Sequence, residues 1–280
     1  MARFVSPEGY EAGLGFVPRP TDVIIAPYAK CGTTWLQQMA HSLRTGGDLD
    51  FDDISRVVPW IETAQDLGLD LDAEQRANPR AFKSHLAWHA VPKGARYIVA
   101  VRDPRDALVS GYRFMEGWFI EPGSISIETL GRAQFVEGRD YYTHLSSWWP
   151  RRHDADVLLL AYEQMRADPD GTVRRVANFV GLDADEDCIN VAREQSSFDA
   201  MRANKDKYDD RMMRALSERR CDLPAGGESS KVRAGGVGSH RVELSAALLD
   251  DLDSTWTDTM GAEFGLRDYE ALLADLAAAR

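Results

Sequence analysis

The sequence predicts an α/β protein with a central parallel sheet flanked by helices, and two observations carry that reading. Three short apolar runs, Asp22-Val-Ile-Ile-Ala26, Tyr97-Ile-Val-Ala-Val101 and Asp156-Val-Leu-Leu-Leu-Ala-Tyr162, lack the polar alternation of a half-exposed strand, as expected of strands buried on both faces. Each run is followed by apolar positions at helical spacing, and strands alternating with helices favour a parallel sheet covered on both sides.

The first run stops at Pro27, and Trp35, Met39 and Leu43 then recur on one helical face. Ala81-Phe-Lys-Ser84 supplies a further short strand. After the second run, Asp103 is placed as a helix N-cap with Pro104 at the first helical position, and the amphipathic pattern reaches about Phe114. The third run leads to helical stretches near Gly171 to Val180 and Asp187 to Arg193. From Lys205 to His240 the periodicity vanishes while Gly226, Gly227, Gly235, Gly236 and Gly238 accumulate, which predicts a long functional loop. Helical pattern resumes from Leu244 to Trp256, and a last Ala/Leu-rich helix follows Asp268.

A chain of 280 residues with 44% hydrophobic and 28% charged residues suits one globular domain. Its formal charge of −12 opposes bulk attraction to nucleic acid or an anionic membrane. Positive charge gathers locally at Lys205, Lys207, Arg211, Arg214, Arg219, Arg220, Lys231 and Arg233. Cys31, Cys188 and Cys221 are too widely spaced for a zinc site or a disulfide framework. Neither a signal-peptide pattern nor a bilayer-length apolar run is present, so the expected location is cytoplasmic and no membrane insertion or metal is expected.

The first motif is Tyr28-Ala-Lys-Cys-Gly-Thr-Thr-Trp35, where a strand hands over to a helix. Backbone N–H groups at a helix start attract phosphate, Gly32 permits close approach, Thr33 and Thr34 add hydroxyls, and Lys30 adds a full charge. A nucleoside-triphosphate loop would place Lys directly after its last glycine and then a magnesium-binding Ser or Thr, whereas Lys30 precedes Gly32. That order, with no magnesium aspartate at the third strand, argues against an ATP-dependent kinase. Alone, the loop is also what a turn with a capping threonine looks like.

Taken with the segments that follow, Tyr-x-Lys-x-Gly-Thr-Thr-Trp resembles the 5′-phosphosulfate loop of the cytosolic sulfotransferase family. The resemblance implies a single domain over residues 1–280 with a nucleoside-triphosphatase-like fold and a lid at about 205–240. It implies 3′-phosphoadenosine 5′-phosphosulfate as sulfuryl donor, and a small-molecule or lipid hydroxyl as acceptor. Lys30, Thr33 and Thr34 would hold the phosphosulfate, with Gly32 and the backbone of Cys31, which stands where the family usually has Ser, and Trp35 would stack near the adenine.

Val101-Arg-Asp-Pro-Arg-Asp-Ala-Leu-Val-Ser110 is similar to the family's 3′-phosphate stretch, so Arg102 and Ser110 would bind that phosphate, Arg102 through two parallel hydrogen bonds. Phe82-Lys-Ser-His-Leu86 resembles Lys-Thr-His-Leu-Pro with Ala87 in place of Pro, which points to His85 as general base and Lys83 as an aid at the transferring group. Tyr162, and Ser196 and Phe198 in Ser196-Ser-Phe-Asp-Ala-Met201, would border the adenine. Arg233-Ala-Gly-Gly-Val-Gly-Ser-His-Arg241 aligns with Arg-Lys-Gly-x-x-Gly-Asp-Trp-Lys, so Arg233, Ala234 and Gly235 would close over the 3′-phosphate, with Ala234, Ser239 and His240 as departures. Val242 to Asp251 matches the family's dimerisation segment poorly, which leaves a homodimer unassigned. Trp88, Phe114, Trp118, Phe119 and Tyr142 are candidate walls of the acceptor pocket, although such aromatics serve equally as core. A binding protein that keeps the nucleotide cradle without catalysis is the remaining alternative.

Overall fold

The chain folds around four parallel strands, β1 (Val23–Ile25), β2 (Ala81–Lys83), β3 (Arg96–Val101) and β4 (Val157–Ala161), in the order β2-β1-β3-β4. Their register pairs Ile24 with both Phe82 and Tyr97, and Val99 with Leu159. The structure is a computed structural model that describes residues 5–116, 118–222, 231–232 and 235–278.

Because successive strand side chains point to opposite faces, the apolar runs feed two separate cores. Ile24, Phe82, Tyr97, Val99 and Leu159 pack on one face with Leu108, Leu145, Trp148, Leu252 and Leu272. Those partners come from helices Pro104–Met115, Asp140–Trp148, Ala246–Trp256 and Tyr269–Ala278. Val23, Ile25, Ala81, Ile98, Ala100 and Leu160 pack on the other face with Leu36, Met39, Val176 and Ala192, from helices Thr33–Thr45, Pro169–Val180 and Glu186–Gln195. Burial on both faces explains why the strands read as unbroken apolar runs. Asp103 caps its helix as expected, its carboxylate accepting from the Arg105 N–H at 2.9 Å, with Pro104 in the first turn.

The amino end of the sheet is held by a buried ion pair. Arg80, just before β2, donates from Nε and Nη2 to the two carboxylate oxygens of Asp22, just before β1, at 3.0 and 2.6 Å. Its Nη1 reaches the carbonyls of Leu71 and Ala73 at 3.0 and 3.3 Å.

The expectation of one loop from Lys205 to His240 is corrected: Arg211–Cys221 is helical, and a short helix begins at His240. Only Met213, Leu216 and Ser217 are buried on the longer helix, and its two apolar residues join Trp60 and Trp118 in a small third cluster. So narrow a buried stripe gives little periodic signal. Among the described residues no helix is long and apolar enough to cross a membrane.

Candidate active site

All four strands point their carboxyl ends the same way, and the chemical motifs sit there: the Tyr28–Trp35 loop after β1, Ser84-His85 after β2, Arg102 after β3 and Tyr162 after β4. Ligands of open parallel sheets bind in this crevice. A cleft of about 1190 Å³ opens over it, bordered by Lys30, Lys83, His85, Arg102 and Tyr162.

The loop after β1 is built to receive an anion. Lys30 (φ 66°) and Gly32 (φ 96°) both adopt the left-handed region, a cost for a lysine that functional loops tolerate. At Gly32 a Cβ would lie 3.1 Å from the Tyr162 ring, so a side chain there meets backbone strain and a tight contact. The turn aims the N–H groups of Thr33, Thr34 and Trp35 out of the start of helix Thr33–Thr45, ahead of the first intrahelical bond from Leu36 N–H to the Gly32 carbonyl at 3.0 Å. Lys30 Nζ lies 4.2 Å from the centre of the Phe114 ring.

Two buried polar atoms test whether these residues fit a phosphorylated nucleotide. Among the described residues, neither Thr33 Oγ1 nor Arg102 Nε has a hydrogen-bond partner. Buried polar atoms are seldom left so without a role, and both belong to the positions expected to meet the donor. Arg102 is otherwise fixed: Nη1 donates to the Lys30 carbonyl at 3.0 Å, Nη2 to the Gly236 carbonyl at 2.9 Å, and its guanidinium lies 4.5 Å from the centre of the Tyr162 ring. Trp35 meets Tyr162 edge-on, centroids 5.8 Å apart. Ser110 borders the same cleft.

His85 is oriented from both sides. Its Nδ1 lies 2.8 Å from the Pro27 carbonyl, and a carbonyl only accepts, so Nδ1 carries the proton and Nε2 is left as the acceptor. Its backbone N–H donates to Glu62 Oε1 at 2.7 Å, and its ring meets Trp60 edge-on at 5.2 Å. Burial, with the positive charges of Lys83 and Lys231, holds the imidazole well below its ordinary titration range. It is therefore neutral at physiological pH. Burial also presses the Lys83 ammonium down to about 8, against the pull of Glu62, a hydrogen bond with Lys231 and the pull of Asp53; its Nζ donates to Asp210 Oδ2 at 3.1 Å.

Gly235, Gly236 and Ser239 border the cleft. Gly236 is held by Arg102, while the buried Asp106 carboxylate accepts from the N–H of Gly238 at 2.6 Å and pairs with His240 Nδ1 at 2.8 Å. The departures at Ser239 and His240 thus bond to Asp106, the hydroxyl at 3.3 Å. Gly235 (φ 55°) passes so close to Phe198 that a Cβ would lie 2.8 Å from its ring, which brings these two candidates together. Arg233 and Ala234 lie outside the described residues.

Some candidates sit elsewhere. The Cys31 thiol is buried in the core with its pKa pushed up to about 12 by burial, and its N–H donates to the Tyr28 carbonyl at 3.2 Å, so Cys31 shapes the loop instead of meeting a ligand. Ser196 borders the cleft, but its hydroxyl donates to the Ala192 carbonyl at 2.6 Å. Phe114, Trp118 and Phe119 line the cleft; Tyr142 does not, being buried with its hydroxyl on the Leu252 carbonyl at 3.2 Å. Trp88 packs on Tyr97 and Trp148 away from the cleft. Sequence reasoning missed Glu62, Asp106 and Asp210 altogether.

The sulfotransferase domain family matches the chain over residues 20–264. Rat sulfotransferase 2A1 is 34% identical over 203 residues, covering 68% of this chain and 69% of that protein. Mouse sulfotransferase SULT7A1 complexed with PAP superposes with a TM-score of 0.71 at 20% identity, covering 99% of this chain and 95% of the mouse chain. Retinol dehydratase in complex with androsterone and the inactive cofactor PAP gives a TM-score of 0.70 at 21% identity, covering 91% and 85%.

Proposed function

Since this chain belongs to the sulfotransferase family, we propose that it transfers a sulfuryl group from 3′-phosphoadenosine 5′-phosphosulfate to a hydroxyl of a small-molecule or lipid acceptor, with His85 as general base. The observation that carries this reading is the tautomer set by the Pro27 carbonyl, which leaves Nε2 of a neutral imidazole as the acceptor in a cleft shared with Lys30 and Arg102.

The donor brings an activated sulfur with the bisphosphorylated nucleotide as its leaving group. Thr33, Thr34 and the helix N-terminus hold its phosphosulfate end, while Arg102, Ser110 and the backbone at Gly235 hold the 3′-phosphate. Trp35, Tyr162 and Phe198 border the base. His85 Nε2 takes the acceptor's hydroxyl proton as the new oxygen–sulfur bond forms and the bond from sulfur to the bridging oxygen breaks. Lys30 and Lys83 balance the charge gathering on the leaving and transferring oxygens.

The acceptor side is largely apolar, with Tyr10, Phe119, Ile120, Leu130, Phe135 and Met213 on the cleft walls. An alcohol or phenol carried on a ring system fits such a lining, and androsterone in the retinol dehydratase complex is of that type.

A labelled-sulfate transfer screen over phenols, sterols and lipid alcohols tests the reading, run with the His85→Ala variant. The expected result is transfer by the wild type and a loss of about 10²- to 10⁴-fold in turnover for the variant, with affinity for adenosine 3′,5′-bisphosphate nearly intact. Equal turnover by the two proteins overturns the base assignment.

A further inference from the structure

Two buried lysines share one carboxylate beside His85. Asp210, fully buried ahead of helix Arg211–Cys221, accepts from Ser55 Oγ on Oδ1 at 3.2 Å and from Lys83 Nζ on Oδ2 at 3.1 Å. Lys231 Nζ bonds the same Oδ2. The lysine side chains are 3% and 8% exposed, so this is no solvated surface pair.

Charge balance separates this group from an ordinary structural ion pair. Asp22 and Arg80 match one charge with one charge, whereas Asp210 faces two. Of the nearby carboxylates, Asp53 already accepts from the N–H groups of Ser55 and Met212 at 2.8 and 3.0 Å. Burial raises the Glu62 pKa, and Asp209 accepts from the backbone N–H of Lys231 at 2.8 Å. Two buried ammonium groups on one carboxylate are costly, which lowers the pKa of both lysines, and an anion arriving in the cleft relieves that cost. Lys83, Lys231 and Lys30 all border the cleft that His85 enters. The Phe114 ring lies near two of them, 4.2 Å from Lys30 Nζ and 5.9 Å from Lys231 Nζ.

We infer that Lys231 is a further catalytic residue, a cation that meets the transferring sulfuryl oxygens beside Lys83, and that Asp210 is the positioning residue that holds both. The inference rests on the sulfuryl-transfer reading above. Burial and the charges of Lys83 and Lys30 lower the Lys231 pKa well below the ordinary lysine value, and an arriving sulfuryl anion favours its charged form; in that form it forms no bond to sulfur and balances charge while the proton passes to His85. Gly235, Gly236 and Ser239 border the same cleft, where Arg102 holds the Gly236 carbonyl and Asp106 the Gly238 N–H.

The test compares Lys231→Met, Lys231→Arg and Asp210→Asn. Calorimetry without acceptor measures affinity for 3′-phosphoadenosine 5′-phosphosulfate and for adenosine 3′,5′-bisphosphate, which lacks the sulfuryl group, and labelled-sulfate transfer measures turnover. Lys231→Met is expected to weaken the sulfated nucleotide about tenfold more than the bisphosphate, and to lower turnover about 10²-fold. Lys231→Arg restores most of both. Asp210→Asn reproduces the loss, and adding Lys231→Met to it costs little more. Should Asp210→Asn fail to fold, the two Lys231 variants decide the matter. Affinities for both nucleotides falling together with melting temperature, or turnover unchanged, would reduce the triplet to a structural one while leaving the reading intact. A wild-type protein that binds neither nucleotide overturns the reading and the inference together.

Discussion

Two buried ionic groups, one at each end of the parallel sheet, are arranged in opposite ways. At the amino end, Arg80 has Asp22 on Nε and Nη2 and two carbonyls on Nη1, and the site is complete. At the carboxyl end, Thr33 Oγ1 and Arg102 Nε lack partners among the described residues, and two lysines share the Asp210 carboxylate. The same buried surroundings act on both. The Asp22–Arg80 pair has its hydrogen bonds satisfied by the chain itself, whereas the group at the carboxyl end suits the anion of the proposed reaction.

That division predicts separable losses. Replacing Arg80 with Met should give the largest effect, about 3–5 kcal/mol of unfolding stability, because Asp22 is left buried without its counter-charge. Nucleotide affinity of the folded fraction should be unchanged. Denaturant unfolding alongside calorimetry checks this, and a fall in affinity without a fall in stability breaks the contrast. A smaller effect of mixed sign is expected from Thr33→Val, which keeps the shape and removes the orphaned hydroxyl. Binding of adenosine 3′,5′-bisphosphate should weaken by about 1.5–3 kcal/mol, the worth of a hydrogen bond to a charged group. The free protein should unfold no more easily than the wild type. A loss of stability equal to the loss of affinity would show that Thr33 belongs to the scaffold.

What the sequence disclosed follows the same division. Strands buried on both faces are visible as apolar runs, and the residues at their carboxyl ends fall in short segments whose order along the chain carries the resemblance. Contacts made only by folding stayed hidden. Lys231 drew notice as one of several basic residues, but nothing local ties it to Asp210 or to Lys83, which lies on β2. Helix Arg211–Cys221 escaped because it buries so few apolar side chains. Aromatic residues were ambiguous for a physical reason: Tyr142 and Phe114 are both large and apolar, and only the Leu252 carbonyl met by the Tyr142 hydroxyl settles that it faces the core.

The smallest effect, and the one that sharpens the contrast most, is a pH dependence. His85 must be neutral to accept a proton, and with its pKa well below the ordinary value that condition holds down into mild acid. In the proposed reaction Lys83 must be charged to meet the sulfuryl group, and burial lowers its pKa to about 8. Turnover should therefore be level from about pH 6.5 to about 7.5 and fall about tenfold per unit well above pH 8, as Lys83 loses its proton. Lys83→Arg supplies the control, because a guanidinium stays charged throughout this range. The alkaline fall should weaken in that variant, what remains coming from Lys231, whose pKa burial also lowers. A wild-type rate still level at pH 9.5 would show that the Asp210 carboxylate outweighs burial and that the lysines at this end are paired as firmly as Arg80 is at the other.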